Sequence, residues 1–178
     1  MSLGDEAPGG AAEEDTARLR ALAHPIRLRI LSLLTGAALT AAEVARELDL
    51  THANASYHLR QLLAAEAIVI AGEERIRGGA AKRYRYDPDR DRDRPRNHDD
   101  IQLTYEALTT ELRRRATAWR PGTAALVDAE LWVDPEVWAE VTRAIGEAAV
   151  RLHRAAKPPR TPGATHVNAT VALFQMED

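Results

Sequence analysis

The stretch LTAAEVARELDLTHANASYHLRQL, residues 39–62, limits the fold more than any other part of the chain. Thr40 stands three residues before Glu43, the spacing at which each side chain can bond the other's backbone N–H and open a helix. Val44, Ala45 and Leu48 then form the inner face of a short helix. Asp49 closes it, and Asp tolerates a left-handed backbone better than most residues, so a sharp turn is feasible there. Thr51 is placed to cap a second helix. Two short helices joined by a tight turn form a helix-turn-helix pattern.

The second helix has an unusual outer side. With Leu59 at the centre of the buried face and ~100° per residue, Ala55, Leu62 and Leu63 fall beside it. Ala53, Asn54, Tyr57, Arg60 and Gln61 fall opposite, with Ser56 and His58 on the flanks and Thr51 and His52 at the front. Lys and Glu would make a more soluble helix, and several of these residues are mediocre helix formers. The set suits a DNA major groove: Asn and Gln can pair bidentately with adenine, Arg with guanine, Ser can donate or accept, and Ala admits a thymine methyl. The alternative is a half-exposed helix of a small all-α domain.

The flanking sequence favours the groove-reading version. TARLRALA (16–23) reads as a helix, and Pro25 suits the first position of the next, PIRLRILSLLTG, with Gly36 at its stop. His24 reads as a capping or packing histidine rather than a metal ligand. After the second helix of the pattern, AAEAIVIAGEERIRGGAAKRYRYD reads as two strands flanking Gly78-Gly79, a hairpin with a basic tip. A helix-turn-helix followed by such a hairpin is a winged helix. Arg75, Arg77, Lys82, Arg83 and Arg85 are candidates for phosphate contacts or minor-groove entry, which give salt-dependent, sequence-blind affinity and set the register. Glu73 and Glu74 oppose this, and a hairpin charged only for solubility is the plainer reading.

The net charge of −3 argues at first against a nucleic-acid partner, but its distribution does not. Residues 18–96 hold 15 Lys and Arg against 10 Asp and Glu, while the rest hold 9 against 17. A basic section beside an acidic remainder suggests a polyanion partner for the basic part. The absence of cysteine excludes disulfides, thiolate metal sites and a thiol nucleophile. No apolar run is long enough to span a bilayer and no signal peptide is evident, so a cytoplasmic protein is expected. No nucleophile elbow, phosphate loop or paired His/carboxylate spacing is present; neither enzymatic activity nor a cofactor is expected.

Residues 1–15 read as a disordered acidic tail, 16–96 as the winged helix-turn-helix domain and 97–178 as an extension, in an α+β chain. DPDRDRDRPR (87–96) is a linker. In the extension, Ile101, Tyr105, Leu108, Leu112 and Trp119 mark the apolar side of a long helix ended by Pro121-Gly122. A strand–helix–strand unit is expected after it: AALVDAELWV, a helix begun by Asp134-Pro135-Glu136, and ATHVNATVALFQM. Tyr105, Trp119, Trp132, Trp138 and Phe174 gather there, either as core or as the lining of an effector cavity for a small molecule. His153 and His166 are given no role.

The segments LRALAHPIRLRILSLL and LTAAEVARELDLTHANASYHLRQLLAAEAIV with the hairpin, about residues 16–88, resemble the ArsR-type winged-helix transcriptional regulators. The resemblance implies a homodimeric DNA-binding repressor on a two-fold double-stranded operator, with the helix from about Thr51 to Ala64 in the major groove. Ser56, Tyr57 and His58 fall on a Ser-His-His stretch frequent in the family, with Tyr57 a departure. Metal sensors of the family carry cysteines where this chain has AAEVAREL. A second family site uses Asp/His and His/Glu on the long C-terminal helix. Here His98, Asp99 and Asp100 begin that helix and Thr109 stands eleven residues after His98, so no metal site is expected. Ala67 replaces a customary Gly. The competing reading is a winged-helix module for protein–protein assembly, whose polar helix face would meet a partner protein.

Overall fold

A computed structural model describes residues 24–76, 79–86, 98–122 and 125–176. The helix expected at 16–23 and the linker at 87–96 lie outside them. The elements are α1 (Pro25–Gly36), β1 (Leu39–Thr40), α2 (Ala41–Leu48), α3 (His52–Ala64), β2 (Val69–Ile76), β3 (Gly79–Arg85), α4 (His98–Ala116) and α5 (Pro135–Arg154).

The local starts and stops follow the expected chemistry. The His24 ring accepts from the Ile26 N–H at 3.2 Å, and Pro25 opens α1. At α2, the Glu43 N–H donates to the Thr40 hydroxyl at 3.3 Å and the Thr40 N–H to the Glu43 carboxylate at 2.7 Å. Asp49 takes the left-handed conformation, φ 55° and ψ 49°, which turns the chain sharply into α3. The Asn54 N–H then donates to the Thr51 hydroxyl at 3.2 Å. After α3 the left-handed residue is Glu66, at φ 52°, while Ala67 is buried, so replacing glycine at position 67 does not burden the turn.

The core gathers Ile30, Leu31 and Leu34 of α1, Leu39, Val44, Ala45 and Leu48 of β1 and α2, Ala55, Leu59 and Leu62 of α3, and Ile68. Each helix contributes one face, as a domain with a single core requires. The sheet is antiparallel with strand order β1-β3-β2. Leu39 pairs with Tyr84, Ile70 with Tyr84 and Ile76 with Gly79, and the register slips between Ile70 and Gly72. Tyr84 and Tyr86 pack on the core, and the Tyr86 N–H donates to the Leu34 carbonyl at 3.2 Å, fastening the wing's exit to α1. Gly36 ends α1 as expected, but not through a left-handed cap, for the next residue is extended. A Cβ on Gly36 would lie 2.6 Å from the Lys157 carbonyl oxygen, so the extension's backbone passes where only glycine leaves room.

Two expectations for the extension are corrected. Helix α4 is present, yet its buried positions are Ala107 and Glu111, while Leu112 is exposed and Trp119 lies in a turn beyond the helix end. The helix is rotated from the apolar stripe of the sequence because the Glu111 carboxylate, 2% exposed as a residue, is held by Arg114 at 2.8 Å and Arg115 at 3.5 Å. Paired in this way, it can occupy a buried line against α1. Helix α5 forms as expected, but the flanking segments, 125–134 and 164–176, belong to no strand. Alternating apolar residues make a segment competent for a sheet, but a strand exists only when a neighbour supplies N–H and C=O partners. Among the described residues neither segment finds one.

Candidate nucleic-acid interface

Helix α3 turns two different sides outward and inward, and the division follows its sequence. Ala55, Leu59 and Leu62 are buried; Thr51, His52, Ala53, Tyr57, Arg60 and Gln61 are exposed; Asn54 and Ser56 are half-buried. Tyr57 is 48% exposed and leans its ring edge-on to His58, centroids 5.3 Å apart. The uncharged donors and acceptors thus share one open face with a single cation, Arg60, and approach to base edges is unobstructed by like charges.

His58 does not belong to that face. It is 5% exposed, its ring 4.9 Å from that of His24, and its Nδ1 is buried without a hydrogen-bond partner. The expectation that it faces bases is therefore corrected. The helical wheel put it on a flank, and that flank is covered by the N-terminal cap of α1. Burial holds the His58 imidazole below the ordinary histidine value, with His24 and Arg27 adding to the effect. Burial first and Arg27 second lower His24 likewise. The pair is neutral packing that docks α3 onto α1.

The wing separates its cations in the same way. Arg75, Lys82 and Arg85 are exposed on the hairpin. Arg77 lies outside the described residues. Arg83, expected to reach phosphate, is engaged elsewhere: it bonds the Ala38 carbonyl at 2.5 Å, pairs with Glu74, and lies 3.5 Å from Glu43. It clasps the wing to the start of α2, and Glu74 is its partner rather than a free opposing charge. Burial would raise the Glu43 carboxyl, but the Thr40 hydrogen bonds, Arg83 and Arg46 outweigh it and hold it below the usual carboxylate range. The cap of α2 and the root of the wing therefore share one carboxylate, a link that no residue spacing discloses.

The five aromatics considered for an effector cavity are not brought together. Tyr105 and Phe174 touch, centroids 5.5 Å apart, but Trp119 is 65% and Trp132 84% exposed. Trp132 lines an open depression with Val133, Asp134 and Val137 rather than an enclosed site. Sequence reasoning read His24 as a capping or packing histidine, which it is, but did not see that it covers His58, and it missed the clasp made by Arg83. Both were visible as residue types but not as contacts. No helix among the described residues is long and apolar enough to cross a membrane.

No curated protein matches the chain. Residues 22–70 match the family model of a helix-turn-helix domain, the span that holds α1, α2, the Asp49 turn, α3 and the start of β2, so this part of the chain is similar to a helix-turn-helix domain.

Proposed function

We propose that the chain is a sequence-specific DNA-binding transcriptional regulator of the ArsR type, a homodimer that represses by occupying a two-fold operator and that senses no metal. One observation carries this reading: the exposed side of α3 presents Asn54, Tyr57, Arg60 and Gln61 together while its other side is sealed by core leucines. A helix that is polar, sparsely charged and rigidly backed is suited to reading base edges, each good contact contributing about 1–3 kcal/mol of discrimination. Arg75, Lys82 and Arg85 add phosphate contacts that do not depend on sequence. A two-fold arrangement places two α3 helices about one DNA turn apart. The absence of cysteine supports the metal-free version, and a DNA partner implies the cytoplasm.

The test is a mobility shift on DNA upstream of the chain's own gene, titrated with salt, beside random DNA of equal length. A specific complex whose affinity falls steeply with salt supports the reading. A protein-assembly module would give no specific shift and little salt dependence, and that result would end the proposal.

A further inference from the structure

Helix α5 and the segments on either side of it leave unburied an amount of apolar surface that a lone chain does not need. No residue of α5 is buried. Its inward side, Ile145, Gly146, Ala149 and Val150, is half-covered by the rest of the chain. Its outward side carries Val137, Val141 and Leu152, 43–48% exposed, with the small Ala148 between them. At ~100° per residue these four fall within about 60° of arc, one continuous seam. In the segment that precedes α5, Leu126, Val127, Leu131 and Trp132 are 72–95% exposed, and Trp132 lines a depression with Val137. The open apolar area spread over residues 126–176 is on the order of 1,000 Å², enough to supply the ~800 Å² per partner of a standard interface.

The charges of α5 indicate what covers the seam. Glu136 and Glu140 lie in its first half, Arg151 and Arg154 in its last turns, and all four fall along the same flank of the seam. When two copies of one helix pack antiparallel about a two-fold axis, like flanks meet, and each acidic start lies against the other's basic end. Val137 then faces Leu152 of the second copy and Val141 faces Ala148, a larger side chain against a smaller one at each level. Parallel packing would set this charged flank against the opposite one, with Trp138, Ile145 and Ala149, and bring no acidic start to a basic end. We infer that α5 is a self-association helix which pairs antiparallel with α5 of a second copy. This assigns an interface to the two-copy element of the proposed function and does not depend on DNA binding.

The full chain without DNA, followed by sedimentation equilibrium, tests it. At micromolar concentration the chain should be a dimer, and Val141→Asp should weaken association roughly tenfold or more. Glu140→Arg and Arg151→Glu should each weaken it, and the two together should restore it. Should Val141→Asp unfold the chain, the charge pair decides, since it leaves the seam intact. The chain has no cysteine, so introduced thiols report geometry. Ala144→Cys, near the centre, should cross-link under mild oxidation, and Val137→Cys, near one end, should not. A monomer at all concentrations, a dimer indifferent to Val141→Asp and to the charge reversals, or preferential cross-linking through position 137 would overturn the inference. A dimer that shifts no DNA sinks the proposed function and leaves this inference standing; a monomer that shifts DNA overturns this inference and the two-copy element of the proposed function and leaves DNA binding standing.

Discussion

Lys82 and Arg83 are adjacent cations on β3, and the structure predicts opposite consequences for losing them. Arg83→Ala removes the donor to the Ala38 carbonyl and the counter-charge of Glu74 and Glu43. Hydrogen bonds to charged groups contribute ~1.5–3 kcal/mol. The Arg83 side chain is 31% exposed and that of Glu74 50%, so solvent screening reduces the loss to about 1–2 kcal/mol. For a chain of this size that is a fall in Tm of roughly 2–8 °C. Lys82→Ala touches only an exposed side chain and should leave Tm unchanged, while removing one phosphate contact and lowering the slope of log affinity against log salt by ~0.9. Thermal melts by circular dichroism and anisotropy titrations at several salt concentrations measure both quantities on the same two variants. If Arg83→Ala flattens the salt slope as Lys82→Ala does and melts like the parent, the clasp is not a feature of the protein in solution.

Other expectations follow from the same contacts. Tyr57→Ala and Gln61→Ala should cost about 1–3 kcal/mol on the specific site and little on random DNA; equal losses on both would remove α3 as the reading helix. Thr40→Ala should lower stability by about 1–2 kcal/mol through the lost cap of α2, measurable by urea denaturation. Leu59→Ala, at the centre of the core, should cost about 2–5 kcal/mol in the same assay. The depressed values of His24 and His58 give a sign for pH: both rings stay neutral when folded, whereas the unfolded chain takes up protons below about pH 6.5. Their contribution is complete above that value and is lost as the pH falls from it through the folded values. His58→Gln should make the urea midpoint less sensitive to acid over that window; an unchanged dependence would show the pair is not buried.

What was legible in the sequence was what neighbouring residues decide among themselves. The reciprocal bonds of Thr40 and Glu43, the left-handed Asp49 and the Thr51 cap all lie within three or four positions, and each forms as its spacing implies. The inner face of α3 follows from helical geometry alone. The misassigned residues share another property, for their positions are decided by partners distant in the chain. His58 is buried because His24, on another helix, covers it; Arg83 is occupied because β3 runs beside β1. Glu111 displaces the expected apolar stripe of α4, its buried carboxylate paired with Arg114 and Arg115 of the next turn. The segment at 164–176 has the alternation of a strand in Val167, Ala169, Val171 and Leu173, but alternation specifies a face and not a partner.

The passage of Lys157 over Gly36 gives the end of α1 a mechanical role. The same last turn receives the wing's exit through Leu34, so two peripheral parts of the molecule are hinged at one place with no side chain between them and the helix. Alanine there would act as a wedge, prying the extension from its seat without touching any residue on the outer face of α3.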